Sequence, residues 1–127
     1  MNNQIAPSFN IVTDHLACPC CNAFQFKEKF WKRLQVLRDI MDKPFITDRK
    51  GGSGFRCRIF NNSLPNSAKN SRHLYGDAID ISTHGWSGEE KRFLVELAIQ
   101  FEFSVGIYKS WFHLDLRPEN PVLFWGD

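Results

Sequence analysis

The stretch Ser71-Arg72-His73-Leu74-Tyr75-Gly76-Asp77-Ala78-Ile79-Asp80-Ile81 places a carboxylate inside a short apolar run. The run predicts a buried strand, and a carboxylate buried there needs a partner because an unpaired buried charge is costly. His73 lies seven residues before Asp80, so the two side chains meet only if the chain turns between them. Gly76 permits such a turn. The stretch therefore indicates that His73 and Asp80 converge on one ion.

A third ligand is offered by the downstream segment Trp111-Phe112-His113-Leu114-Asp115-Leu116, whose alternation predicts a half-buried strand. Trp111, His113 and Asp115 share one face of it. Two imidazoles and one carboxylate with an open fourth position suit a catalytic Zn²⁺. Spacing alone leaves an alternative open, in which His73 and His113 are ordinary buried histidines and Asp80 belongs to a turn.

The pattern Ser71-x-His73-x-x-Gly76-x-Ala78-x-Asp80, followed by Trp111-Phe112-His113, resembles the signature of the D-alanyl-D-alanine metallopeptidase family. This family contains zinc D,D-carboxypeptidases, murein endopeptidases and phage endolysins, with an α+β fold shared with the metal-binding domain of hedgehog proteins. Ser53-Gly54-Phe55-Arg56 is similar to a family Ser-Gly-Tyr-Arg segment, and Asn61 to an asparagine that often follows it. The resemblance extends from about Phe26 to Arg117.

The resemblance implies that His73, Asp80 and His113 bind Zn²⁺. It also implies that Arg56 contacts a substrate carbonyl or carboxylate oxygen and that Ser71 hydrogen-bonds near the substrate. The implied activity is hydrolysis of amide bonds in peptidoglycan peptides, of D,D-carboxypeptidase or endopeptidase type, by metal-activated water. The alternatives are a catalytically inactive, zinc-containing binding or virion structural module of the same fold, and a zinc-free assembly domain.

One position departs from the family pattern. Many active members carry Glu or Asp three residues before the last histidine as general base, and this chain has Ser110 there. Asp115 is the proposed catalytic substitute, or else it orients an imidazole from behind. Asp77 is a weaker substitute that otherwise faces solvent in a turn, and His84 is expected in a loop away from the cleft.

Composition narrows the class of protein. The chain has 127 residues, 43% of them hydrophobic and 14% aromatic, which favours a folded domain over disorder. The net charge of +2 does not suggest a nucleic-acid or membrane-surface partner. No secretory signal is recognisable, so we expect cytoplasmic synthesis, with a phage enzyme that reaches the cell wall after release as one option. We expect one monomeric domain over residues 1–127.

The expected fold is α+β, a small antiparallel sheet with flanking helices. Apolar spacing predicts a helix over Phe26–Met41, and a capping box of Ser87 and Glu90 predicts the start of a second helix, which continues to Phe101. A long loop is expected over Thr47–Arg72. The predicted strands are Phe45–Thr47, Ala78–Ile81, Val105–Tyr108 and Phe112–Leu116.

Two further groups leave alternatives open. Cys18, Cys20 and Cys21 lack a second Cys-x-x-Cys pair, which favours reduced, partly buried thiols over a metal site helped by His15 and Cys57. Tyr108, Trp111 and Trp125 either form the floor of a groove for peptide or glycan, or belong to the core.

Overall fold

The computed structural model describes residues 3–118 and 124–126, and within them the fold is α+β. A small hairpin precedes three α-helices and a four-stranded sheet. In chain order the elements are β1 (Gln4–Ala6), β2 (Phe9–Asn10), α1 (Glu28–Met41), α2 (Arg58–Ser63), a 3-10 helix (Arg72–Tyr75), β3 (Ala78–Ser82), α3 (Gly88–Gln100), β4 (Ser104–Ile107), β5 (Trp111–Asp115) and β6 (Phe124–Gly126).

Helices α1 and α3 confirm the two predicted helices. The capping box is present: the Glu90 backbone N–H donates to Ser87 Oγ at 3.1 Å, and the Ser87 N–H donates to Glu90 Oε1 at 2.8 Å. Helix α1 begins at Glu28 instead of Phe26, whose side chain is half exposed. In the described part of the chain, no helix combines the length and the apolar character that a membrane span requires.

The sheet has the strand order β3-β5-β4-β6 and carries the core on one face. Strand β5 pairs antiparallel with both β3 and β4, and the core face presents Ile79, Ile81, Val105 and Leu114 to the helices. The register sets Asp80 opposite His113. Residues directly opposite in an antiparallel pair project from the same face, so both side chains lie on the face turned away from the core.

Several expectations about local structure were wrong. Phe45–Thr47 is not a strand, because it lies beside β3 with one backbone hydrogen bond, from the Ser82 N–H to the Ile46 carbonyl. The predicted loop Thr47–Arg72 contains helix α2, which the Cys57 side chain caps. Strand β6 pairs parallel with β4, so the sheet is mixed. Strands β1, β2 and β6 have two or three residues each, too few to show periodicity.

A substitution at Gly76 tests whether the turn between His73 and Asp80 requires a glycine. Gly76 has a φ of 80°, and an added Cβ would lie 2.7 Å from the Gln25 carbonyl oxygen. We expect Gly76→Ala to lower the free energy of unfolding by about 1–3 kcal/mol, measured by denaturant titration. Gly88→Ala is the matched control, since a Cβ there meets nothing within 4 Å. Equal stability of the two variants would contradict the constraint.

Candidate metal centre

Three side chains from three different elements converge on one point. His73 comes from the 3-10 helix, Asp80 from β3 and His113 from β5. His73 Nε2 lies 3.1 Å from Asp80 Oδ1, and His113 Nδ1 lies 2.9 Å from the same oxygen. The three candidate ligand atoms all lie within 4.8 Å of one another. The structure thus brings together the three residues that the sequence analysis named as metal ligands.

His73 is buried and is held on three sides. Its backbone N–H donates to Ser71 Oγ at 3.2 Å, and its carbonyl accepts from the Arg56 N–H at 3.1 Å. The ring Nδ1 lies 2.7 Å from the Gly54 carbonyl, which can only accept a hydrogen bond. Nδ1 must therefore carry the proton, and in the neutral ring Nε2 turns a lone pair toward Asp80. Burial lowers the pKa of His73 and favours this neutral form.

His113 lies between two carboxylates. Its Nδ1 faces Asp80 and its Nε2 lies 2.7 Å from Asp115 Oδ2. Burial lowers the pKa of His113, but the hydrogen bonds with Asp115 and Asp80 outweigh it and raise the pKa to about 9. Burial likewise opposes ionisation of Asp80, but at the acidic pH where this carboxyl titrates both histidines are protonated, and their charges and hydrogen bonds hold the Asp80 pKa well below its usual range.

The donor set fits a divalent metal ion. The lone pair of His73 Nε2 and the ionised Asp80 Oδ1 lie only 3.1 Å apart, an unfavourable approach of two acceptors unless a cation lies between them. Two imidazole nitrogens and one carboxylate oxygen are ligands that zinc accepts in catalytic sites, where a fourth position stays open. The contact of His113 Nε2 with Asp115 is the outer hydrogen bond that typically orients a metal-binding histidine.

Arg56 lies beside this site and is not a solvated loop residue. Its Nη2 is 3.2 Å from Asp80 Oδ2, and its side chain is 12% exposed. Nε donates to the Gly52 carbonyl at 2.8 Å, and Nη1 donates to Asn61 Oδ1 at 3.2 Å. The buried Asn61 amide in turn donates to the Ala68 carbonyl. These bonds fix the guanidinium plane next to Asp80.

Asp115 lies on the far side of the His113 ring from Asp80 and is fully buried. Its oxygens also accept from Arg117, at 2.6 Å from Nη2 and 2.9 Å from Nε. This position favours the orienting role over direct proton transfer. Arg117 was not recognised from the sequence, although its position two residues beyond Asp115 in the alternating pattern was a signal for it.

The structure does not bring the other candidate residues into the cluster of three ligands. Asp77 is buried and paired with Arg72 at 2.7 Å, so the expectation of a solvent-facing turn residue was wrong. His84 is exposed in the turn after β3. Ser110 lines a cleft that also contains Asp48, Arg56 and Asp80. Asp48 was not recognised from the sequence, where it carries no motif.

A second open cleft, of about 460 Å³, is lined by the three ligand residues. It is lined by Ser71 and by the three aromatic residues that the sequence analysis left between groove and core, Tyr108, Trp111 and Trp125. The Tyr108 and Trp111 rings stack at 4.1 Å, and Trp125 Nε1 donates to the Tyr108 hydroxyl at 2.8 Å. The structure therefore favours a place in the groove over a place in the core for these three aromatic residues.

The fold and the ligand geometry define a small α+β protein with a candidate three-ligand metal centre, and comparison with known families gives its class. The family model described as Peptidase M15 matches residues 9–115, which include all three candidate ligands, so the chain belongs to the M15 family of metallopeptidases. In searches of curated proteins and of solved structures, nothing matches the chain at a significant level.

The pH dependence of folding tests the charge state of His113. In chelator-treated protein, its pKa is about 9 in the fold against about 6.5 in the unfolded chain. The stabilisation from the protonated ring is therefore complete below about pH 6.5 and is lost as the pH rises to about 9. We expect the difference in unfolding free energy between wild type and His113→Gln to fall by up to about 3 kcal/mol over this range.

Denaturant titrations of both proteins across this pH range measure that difference. Subtraction removes the contribution of the cysteines, which both proteins retain. His73, whose pKa is lowered, changes its charge below this window. A difference that stays constant from about pH 6.5 to 9 would show that His113 is neutral in the metal-free fold.

Proposed function

We propose that the protein is a zinc metallopeptidase that hydrolyses amide bonds in the peptides of bacterial peptidoglycan, as a D,D-carboxypeptidase or an endopeptidase. The observation that carries this proposal is the convergence of His73, Asp80 and His113 at an open cleft, with Arg56 beside them. A purely structural zinc site is usually closed by four protein ligands. Three ligands facing a cleft favour a catalytic site.

The metal ligands and their support have separate tasks. His73, Asp80 and His113 would hold a zinc ion, which would supply Lewis-acid chemistry by polarising a carbonyl and lowering the pKa of water. Asp115 accepts from His113 Nε2 and so keeps Nδ1 turned toward Asp80, while Arg117 holds the Asp115 carboxylate in place. The Gly54 carbonyl accepts from His73 Nδ1 and so fixes the orientation of the His73 ring.

Arg56 binds the substrate in this proposal. Within the described residues, its guanidinium uses three of its five N–H donors on Gly52, Asn61 and Asp80. The other donors can hold a terminal carboxylate or the oxyanion that develops at the scissile carbonyl. Ser71 lines the same cleft and supplies a hydroxyl near the substrate.

Proton transfer needs a group that can accept a proton at the cleft. Asp115 points away from the cleft that holds the three ligands, whereas Asp48 lines the neighbouring cleft with Ser110, which shares Arg56 and Asp80 with the first. Asp48 is exposed, and its Oδ1 accepts from the Lys50 N–H at 2.8 Å. We assign Asp48 to the task of the missing acid at position 110, with Asp115 as a positioning residue.

The surroundings suit a short peptide. The stacked Tyr108 and Trp111 rings form an apolar floor, and the positive charge of Arg56 favours a substrate with a carboxylate. We further propose that residues 1–127 act as one monomeric domain without nucleic-acid or membrane partners. Its setting would be a phage or bacterial enzyme that is made in the cytoplasm and reaches the wall after release.

Ser110 favours a second candidate function. With no acid at this position, the chain could retain the metal site as a catalytically inactive binding or virion module. The stacked aromatic rings would then bind wall peptide or glycan. Arg56, which is fixed beside Asp80, favours the enzyme over this alternative.

The decisive experiment combines metal content with turnover. Protein purified without chelator is analysed for zinc and incubated with purified peptidoglycan while new amino groups are followed. We expect His113→Ala to lower amine release by more than about 100-fold, because it removes a ligand of the catalytic ion. His84→Ala is the matched control, as it removes an exposed imidazole away from the cleft. Zinc that is bound by wild type and lost in part from His113→Ala, without amine release in wild type, would favour the inactive module.

Two asparagine variants separate the proton acceptor from the positioning residue. We expect Asp48→Asn to lower kcat by about 10²–10⁴-fold with zinc affinity unchanged, because a general base is lost. We expect Asp115→Asn to weaken zinc affinity by about 10–100-fold, because the outer hydrogen bond of His113 loses its charged acceptor. Zinc affinity comes from chelator competition and kcat from zinc-saturated protein. If Asp48→Asn kept the kcat of wild type, Asp48 would not be the proton acceptor, and Asp115 would again be the candidate for this role.

A further inference from the structure

Four cysteines form a second cluster, separate from the three candidate ligands of the metal centre. The sulfur atoms of Cys18, Cys20, Cys21 and Cys57 all lie within 4.8 Å of one another. Cys18 Sγ and Cys20 Sγ are 3.8 Å apart, and Cys20 Sγ and Cys57 Sγ are 3.1 Å apart. Zinc–sulfur bonds of about 2.3 Å in a tetrahedron place neighbouring sulfurs about 3.8 Å apart, so the cluster is near the size of a four-thiolate site.

We infer that Cys18, Cys20, Cys21 and Cys57 bind a second, structural zinc ion. Thiolates select soft or borderline metals, and a tetrahedral set of four sulfurs is typical of zinc. Four protein ligands close the coordination sphere, so this ion stabilises the fold and takes no part in hydrolysis. The inference does not depend on the proposed peptidase activity.

The local backbone is shaped for such a site. Around the first three cysteines the chain turns tightly: the Asn22 N–H donates to the Cys18 carbonyl at 2.8 Å, and Asn22 has a φ of 62°. The Cys57 N–H then points at Cys18 Sγ at 3.4 Å, and the Phe60 N–H points at Cys57 Sγ at the same distance. N–H groups directed at sulfur are outer hydrogen bonds of the kind that support metal ligands.

Cys57 explains why the sequence pattern looked incomplete. It lies 37 residues after Cys20, so it forms no paired motif with the first three cysteines. A Cys20–Cys57 disulfide is the competing arrangement, since these sulfurs are the nearest pair given by the structure. One disulfide would account for two of the four sulfurs, whereas a metal ion accounts for the convergence of all four. His15 is not part of the group.

The position of the cluster gives the ion a specific effect. Cys57 directly follows Arg56, and the preceding Phe55 N–H donates to the Leu16 carbonyl at 2.9 Å. Gly54 packs so closely that an added Cβ would lie 2.6 Å from the same carbonyl oxygen. The four-cysteine site therefore ties the N-terminal segment to the loop that carries Arg56.

Metal counting on the full chain, purified with reductant and without chelator, tests the inference. We expect about two zinc ions per wild-type chain, one for each site, and about one in Cys57→Ser, in Cys21→Ser and in His113→Ala. Cobalt substitution distinguishes the two sites. A thiolate-to-cobalt charge-transfer band should appear in wild type and in His113→Ala and be lost in Cys57→Ser. His113→Ala keeps the cysteine site testable if a cysteine variant fails to fold.

Other outcomes would overturn the inference. About one ion in wild type, with no charge-transfer band after cobalt loading, would show that the cysteines bind no metal. Mass spectrometry of non-reduced, alkylated protein that finds a Cys20–Cys57 crosslink would assign the cluster to a disulfide. Two ions in wild type with one lost in Cys57→Ser would support the second site even if peptidoglycan is not cleaved.

Discussion

The largely buried carboxylate of Asp80 is the constraint on which the site depends. Its neighbours Ile79 and Ile81 are fully buried in the core, so strand geometry forces Asp80 onto the opposite face. A carboxylate there needs compensating groups, because a buried charge without them costs several kcal/mol. Two of them come directly from other segments, His113 from β5 and Arg56 from a loop, and His73 from the 3-10 helix would complete the set by holding a cation beside Asp80. Each of these segments is thereby fixed relative to the sheet.

Strand β5 also places a row of site residues on one face of the sheet. Its site face presents Trp111 to the cleft, His113 to Asp80 and Asp115 to the back of the His113 ring. Arg117, two residues beyond Asp115, completes the row by binding both Asp115 oxygens. Because side chains on one face of a strand recur every second residue, this face presents in order an aromatic residue of the cleft, a candidate metal ligand and the residues that orient this ligand. The fixed spacing keeps His113 between two carboxylates.

Local patterns in the sequence predicted the parts of the fold that have periodicity or caps. A short apolar run predicted β3, alternation predicted the faces of β5, and the Ser87 capping box predicted the start of α3. Contacts between irregular segments could not be predicted, since no period or spacing encodes them. Asp48 reaches the cleft with Ser110 from a loop about sixty residues away, and Cys57 joins the first cysteines only through the tertiary fold. The family resemblance supplied the role of Arg56, which composition and spacing could not.

The loop before α2 connects the two candidate metal centres. Within four consecutive residues, the Gly54 carbonyl accepts from His73, Phe55 bonds to the N-terminal segment, Arg56 binds Asp80 and Cys57 joins the sulfur cluster. Residues 54–57 have no regular secondary structure of their own, so these contacts determine their conformation. A guanidinium that must meet a substrate oxygen needs a fixed position, because small displacements of a positioning group reduce rates strongly. Holding the loop from both sides fixes Arg56 without the support of a helix or strand.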